Sequence, residues 1–105
     1  MSRPARGEIW WGEAPSAKGR PYLVLTRDVA VPVLRTLLVA PITRTIRGIP
    51  TELPLGPDEG LLAESVAAMD GLLTFPKAML TRRIGTLATA RLTQLCDSIR
   101  AAVDC

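Results

Sequence analysis

Short apolar runs alternate with breaks marked by proline, glycine and polar residues, the pattern of closely spaced strands. Glu8-Ile9-Trp10-Trp11-Gly12-Glu13 predicts a first strand and Ala14 to Gly19 a polar loop. Pro21-Tyr22-Leu23-Val24-Leu25-Thr26 predicts a second strand. Its proline stands at the first position, where a missing N–H costs least. Thr36-Leu37-Leu38-Val39-Ala40-Pro41-Ile42 is apolar enough to be a third strand buried on both faces. A loop rich in Thr and Arg spans 43–50 and leads to Thr51-Glu52-Leu53-Pro54-Leu55, an edge strand by its alternation and its proline. Gly56 to Gly60 reads as a turn in which Asp58 and Glu59 are solvated. Ala63 to Met69 and Arg83 to Leu87 predict later strands, separated by Phe75-Pro76-Lys77 and a single helical turn near Ala78.

The period then changes from two to between three and four. Leu92, Leu95, Cys96, Ile99, Ala102 and Val103 form one apolar stripe of a closing helix. Thr89 is placed to cap its start. Arg91, Gln94, Asp97, Ser98 and Arg100 lie mostly off the stripe. Several short strands followed by one helix predict a mainly β domain of α+β type, a small curved sheet or barrel with a helix packed on it.

Composition narrows this picture. The 105 residues fit one domain, 1–105, small enough for oligomerisation to help it. With 48% hydrophobic and 22% charged residues the chain is globular, and with 4% aromatics its core is aliphatic. Charge is uneven. The first 50 residues carry eight basic and three acidic side chains, and the remainder five basic and seven acidic. An anionic partner is therefore expected to meet the first half. Cys96 and Cys105 form neither a disulfide framework nor a metal spacing. No apolar run resembles a signal peptide or a membrane span, so a cytoplasmic location is expected.

Histidine is absent. That removes Ser/His and Cys/His pairs, His-based acid–base catalysis and most zinc sites, and no glycine-rich phosphate loop is present. Arginine and hydroxyl groups at strand ends remain. Arg20, between Gly19 and Pro21, stands just before the second strand, and Thr43 stands just after the third. If those strands pair, a guanidinium fork and a hydroxyl meet at one end of the sheet, a combination suited to a phosphate. Each residue alone also has a plain reading, as surface charge and as a turn former.

Gly7-Glu8-Ile9-Trp10, Gly19-Arg20-Pro21-Tyr22-Leu23-Val24-Leu25-Thr26 and Val39-Ala40-Pro41-Ile42-Thr43 resemble the MazF/PemK toxins of bacterial toxin–antitoxin systems. Glu52-Leu53-Pro54-Leu55, Gly60-Leu61, Ser65-Val66 and Arg83-Ile84-Gly85-Thr86-Leu87 continue the pattern in order, and so does the closing helix. The resemblance implies an SH3-like, CcdB/PemK-like β-barrel with a C-terminal helix, assembled as a homodimer. It implies a metal-independent, ribosome-independent endoribonuclease that cuts single-stranded mRNA at a short sequence, and a MazE-like antitoxin whose acidic disordered tail covers the RNA groove. The family's catalytic Arg and Thr fall on Arg20 and Thr43. Trp10 or Trp11 is a candidate for stacking on a base. Strand alternation sends the two rings to opposite faces, so only one is free for RNA. Lys18, Arg44 and Arg47 are candidates for backbone phosphates. Ser65 stands where many members have Gln. No cofactor or metal is implied. The alternatives are a gyrase-inhibiting toxin of the CcdB type, disfavoured by a tail without an aromatic residue, and an SH3-like binding module without activity.

Overall fold

The computed structural model describes residues 3–15 and 18–103. Seven strands precede one helix: β1 (Glu8–Gly12), β2 (Arg20–Val24), β3 (Thr36–Thr43), β4 (Glu52–Leu55), β5 (Ser65–Ala68), β6 (Leu73–Pro76), β7 (Leu80–Thr86) and α1 (Leu92–Val103). Neighbouring strands run β4-β5-β3-β2-β1-β7, and β6 also pairs with β3. All pairings are antiparallel. β4 and β7 end this path and do not pair with each other, so the expected barrel is an open, curved sheet.

β3 explains the curvature. Along one edge its first half pairs with β6, from Thr36 opposite Pro76 to Val39 opposite Leu73. Its last two residues pair instead with β5, Ile42 opposite Ala67 and Thr43 opposite Val66. Its other edge pairs with β2, Tyr22 opposite Pro41 and Val24 opposite Val39.

Alternation along these strands feeds two cores. Ile9, Leu23, Leu25, Ala40 and Ile42 point into one, beside Leu53, Leu55, Ala67, Met69, Leu87 and Leu95. Trp10, Tyr22, Val24, Leu37 and Val39 point into the other, beside Val31, Phe75 and Leu80. A sheet covered on both faces needs apolar residues at consecutive positions, hence the near-continuous runs in β2 and β3. The cover of β3 is incomplete: Leu38 is exposed, because the first half of the strand buries one face only.

The helix closes the first core. Leu95 is fully buried, and Leu92, Ile99 and Ala102 pack beside it. Three expectations about this region need correction. Val103 is exposed rather than part of the stripe. Ser98 is buried, and its hydroxyl donates to the Gln94 carbonyl at 3.0 Å, one turn back along the helix. Thr89 does not cap the helix; it opens a 3-10 turn, Thr89–Arg91, that feeds into α1 without a side-chain cap. The thiol of Cys96 is free and half-buried, while Cys105 lies outside the described residues. Among the described residues no helix is long and apolar enough to cross a membrane.

β6 and the start of β7 are strands the sequence pattern does not announce. β6 is four residues ending in proline and buries only Phe75, whose ring centroid lies 4.7 Å from that of Tyr22. β7 begins at Leu80, earlier than expected, because Thr81, Arg82 and Arg83 are exposed and leave no apolar alternation to read. The helical turn near Ala78 is present as Lys77–Met79.

Candidate active site

β2 runs antiparallel to both β1 and β3, so its first residue meets the last residues of its two neighbours. Arg20 opens β2 opposite Gly12, the last residue of β1. On the other side, the register that sets Tyr22 opposite Pro41 leads, two residues on, to Arg20 beside Thr43. Both residues line a cavity of about 570 Å³ at this end of the sheet. Thr43 is half-buried and Arg20 exposed. The Thr43 hydroxyl accepts the Thr45 N–H at 3.1 Å, which leaves its own proton free to donate. The side chain of Arg20, which lines the cavity, makes no hydrogen bond or ion pair with another described residue, so none of these residues takes up its five N–H donors.

The cavity is electropositive. Arg20, Arg44, Arg82 and Arg83 line it, and among the described residues no Asp or Glu does. Arg83 is partly neutralised by Glu8, whose Oε2 accepts from its guanidinium at 3.1 Å. The charge therefore comes from both halves of the chain and not from the first alone. Arg82, Arg83 and Ile84, consecutive in sequence, all line the cavity, and the pair register along β1 and β7 is irregular on either side of the two arginines. It runs Ile9–Gly85, Trp10–Arg83, Trp11–Arg82 and Gly12–Leu80, skipping Ile84 and Thr81. Bulges of this kind locally disturb the alternation of faces.

The two tryptophans separate as their alternation requires. Trp10 is 5% exposed in the second core, and its indole N–H donates to Glu8 Oε1 at 3.0 Å. Trp11 is half-buried and lines the cavity. Its indole N–H donates to Glu13 Oε1 at 2.8 Å, and the Arg82 guanidinium lies 6.0 Å from its ring centroid.

The remaining expected residues divide. Arg44 and Ser65 line the cavity. Ser65 is buried, however, and its hydroxyl donates to the Ala63 carbonyl at 3.0 Å, so the proton is already committed. Lys18 is exposed beside the cavity-lining Gly19 but is not itself a lining residue. Arg47 does not line the cavity either. The Glu52 carboxylate accepts the backbone N–H groups of Arg47 and Gly48, both at 2.9 Å, and draws that loop toward β4. Arg82 and Arg83 line the cavity and were not among the expected site residues; the doublet itself, ahead of a glycine, was the one signal.

The far wall is the segment Gly60 to Ala63 with Ser65. Glu59, expected in solvent, is instead 6% exposed and anchors this wall. Its Oε1 accepts the Gly56 N–H at 2.6 Å, and its Oε2 lies 3.4 Å from Arg91. Arg91 also donates to the Pro54 carbonyl at 2.7 Å and to Gln94 Oε1 at 2.8 Å. One ion pair thus ties the wall to the 3-10 turn that leads into α1. Gly60, at φ 92°, takes a left-handed turn that only glycine adopts without strain. No group of three or more His, Cys, Asp or Glu gathers among the described residues.

Known proteins resemble this chain in sequence and in fold. The chain is 43% identical to the probable endoribonuclease MazF5 of Mycobacterium tuberculosis, over 97% of its own length and 94% of the relative's. It is 42% identical to the endoribonuclease MazF3 of the same species, over 83% and 84% of the two chains. The solved structure of the M. tuberculosis toxin MazF-mt6 superposes with a TM-score of 0.86 at 39% identity, covering 92% of this chain and 96% of that one. A Mycobacterial endoribonuclease solved with its cognate antitoxin shares the fold at 22% identity and a TM-score of 0.82. Residues 5–103 match the family model of PemK-like, MazF-like toxins, and the chain belongs to that family of type II toxin–antitoxin systems.

Proposed function

We propose that the chain is a sequence-specific endoribonuclease that cuts single-stranded mRNA in the cavity at the end of β1, β2 and β3, arresting translation and growth. The observation that carries this reading is the convergence of Arg20 and Thr43 in one cavity with three further arginines and, among the described residues, no lining carboxylate. Such a lining suits a polyanion and repels nothing on it.

In the proposed reaction the substrate's own 2′-oxygen attacks the adjacent phosphorus in line. The bond from phosphorus to the 5′-oxygen breaks, leaving a 2′,3′-cyclic phosphate and a 5′-hydroxyl. The 2′-hydroxyl loses its proton to solvent and the departing oxygen gains one. Arg20 holds the phosphate and stabilises the charge that builds on its oxygens. The part assigned to Arg20 is electrostatic: a guanidinium offers a fork of donors to the phosphate oxygens and has no acceptor. Thr43 donates its free hydroxyl proton to a phosphate oxygen.

The working unit is a homodimer held in check by an acidic antitoxin segment. The electropositive cavity is complementary to such a segment, and a domain of this size gains from burying a second surface.

The test is a long single-stranded RNA incubated with the protein in EDTA, with the new ends mapped. Cleavage at a short recurring sequence with 5′-hydroxyl ends is expected. Absence of cleavage, a requirement for magnesium, or 5′-phosphate ends would overturn the reading. Light scattering tests the dimer, which a monomer mass would refute.

A further inference from the structure

We propose that Arg82 is a base-reading residue: its guanidinium, seated on Trp11, recognises a base edge that presents two adjacent acceptors, O6 and N7 of guanine or N3 and O2 of cytosine. The proposal rests on RNA being the ligand of this cavity.

Three observations support it. Arg82 and Trp11 are cross-strand partners of β7 and β1, and the guanidinium carbon lies 6.0 Å from the indole centroid, within cation–π reach. Arg82 makes no hydrogen bond or ion pair with another described residue, so its donors are unspent. Trp11 is itself held in place. Its indole N–H is bound by Glu13, and the returning loop passes it so closely that a Cβ on Gly19 would lie 2.5 Å from Cζ2 and Nε1. A clamped indole gives Arg82 a seat, and a seated guanidinium is a flat, pre-oriented fork. The indole face toward Arg82 is then occupied, so on that side it is the arginine, rather than the tryptophan, that an incoming base meets.

Position separates this role from phosphate binding. β1 lies between β2 and β7, so Arg82 stands roughly 10 Å across the sheet from the strand that carries Arg20, at ~4.8 Å per strand. A phosphate held by Arg20 leaves a neighbouring base, not the same phosphate, at β7. Bases of single-stranded RNA are splayed and open to reading on either edge. A guanidinium has donors only, and it matches a pair of adjacent acceptors in two parallel hydrogen bonds. Adenine and uracil have no such pair.

The experiment compares wild type with Arg82→Ala and Arg82→Lys. Cleavage ends are sequenced across one long RNA. Affinity is measured separately for 2′-O-methyl RNA 10-mers that differ in guanine and cytosine content and that a 2′-hydroxyl mechanism cannot cut. Wild type is expected to favour guanine or cytosine at one position by roughly tenfold, in line with one bidentate pair. Arg82→Ala loses that preference while still cutting. Arg82→Lys does not restore it, because a point charge lacks the fork. The guanine and cytosine arms distinguish the two edges. An unchanged site distribution in Arg82→Ala overturns the proposal, as does an even loss at all sites that Arg82→Lys rescues. If wild type cuts nothing, the nuclease reading fails, and the 10-mer preferences still decide the role of Arg82: no base preference, or one that Arg82→Ala retains, refutes it.

Discussion

Gly85 of β7 presses against the backbone of Glu59 so tightly that a Cβ at Gly85 would overlap the Glu59 carbonyl oxygen. Gly60 meets the Ile84 carbonyl in the same crossing. Backbone cannot retreat as a flexible side chain can. Gly85→Ala is therefore expected to cost about 1–3 kcal/mol, measured by urea denaturation. Because the displaced segment forms the cavity wall, RNA cleavage should fall even where the variant stays folded. A variant as stable and active as its parent would show that the crossing is loose.

The ion pair of Glu59 and Arg91 is the second anchor of that wall. Glu59 is buried and also bonds the Gly56 N–H, so removing its partner leaves a carboxylate short of donors. Arg91→Ala or Glu59→Ala should each destabilise by about 1–3 kcal/mol. The double variant should lose less than the sum of the two. Additive losses in that cycle would mean the two residues act independently.

Arg20 and Thr43 should matter to the reaction and not to the fold. Arg20→Ala is expected to lower cleavage by about 10²–10³-fold or more, the usual cost of one charge-stabilising donor. Thr43→Val, which keeps the shape and removes the hydroxyl, is expected to cost about tenfold, the worth of one hydrogen bond. The melting temperature should hold in Arg20→Ala, since the Arg20 side chain bonds no described residue. Full activity in a folded Arg20→Ala variant would remove this residue from the mechanism.

Salt should weaken RNA binding steeply. For single strands the logarithm of the binding constant falls by about 0.7 per neutralised phosphate for each tenfold rise in salt. Arg44 lines the cavity without a carboxylate partner, so Arg44→Ala should flatten that slope by about 0.7. Arg47 lies away from the cavity, and Arg47→Ala should leave the slope as it was. Equal changes in both variants would place RNA across the outer loop as well.

Legibility from sequence followed burial. β1, β2, β3 and α1 could be read because their apolar periods are long and both faces of the sheet, or one face of the helix, are covered. β6 could not, since four residues with one buried ring carry no period. The position of Arg20 at the cavity end of the sheet was legible from its place before a proline that opens a strand. Arg82 was not, because it sits in a run of exposed residues with no apolar alternation to mark a strand. Glu59 misled for the opposite reason: a carboxylate between proline and glycine reads as solvated, while its burial depends on Arg91, 32 positions later in the chain.

β3 has a consequence for how the molecule comes apart. It alone carries pairings to β2, β5 and β6, and through its alternation it contributes to both cores. Neither core can melt while the other keeps its strand. Heating or denaturant should thus produce a single all-or-none transition, in which the fluorescence of Trp10 in one core and the ellipticity of the helix over the other vanish together. With its partners far apart in sequence, β3 must also wait for distant segments to arrive. Refolding should accordingly take milliseconds to seconds, not the microseconds of a helical bundle.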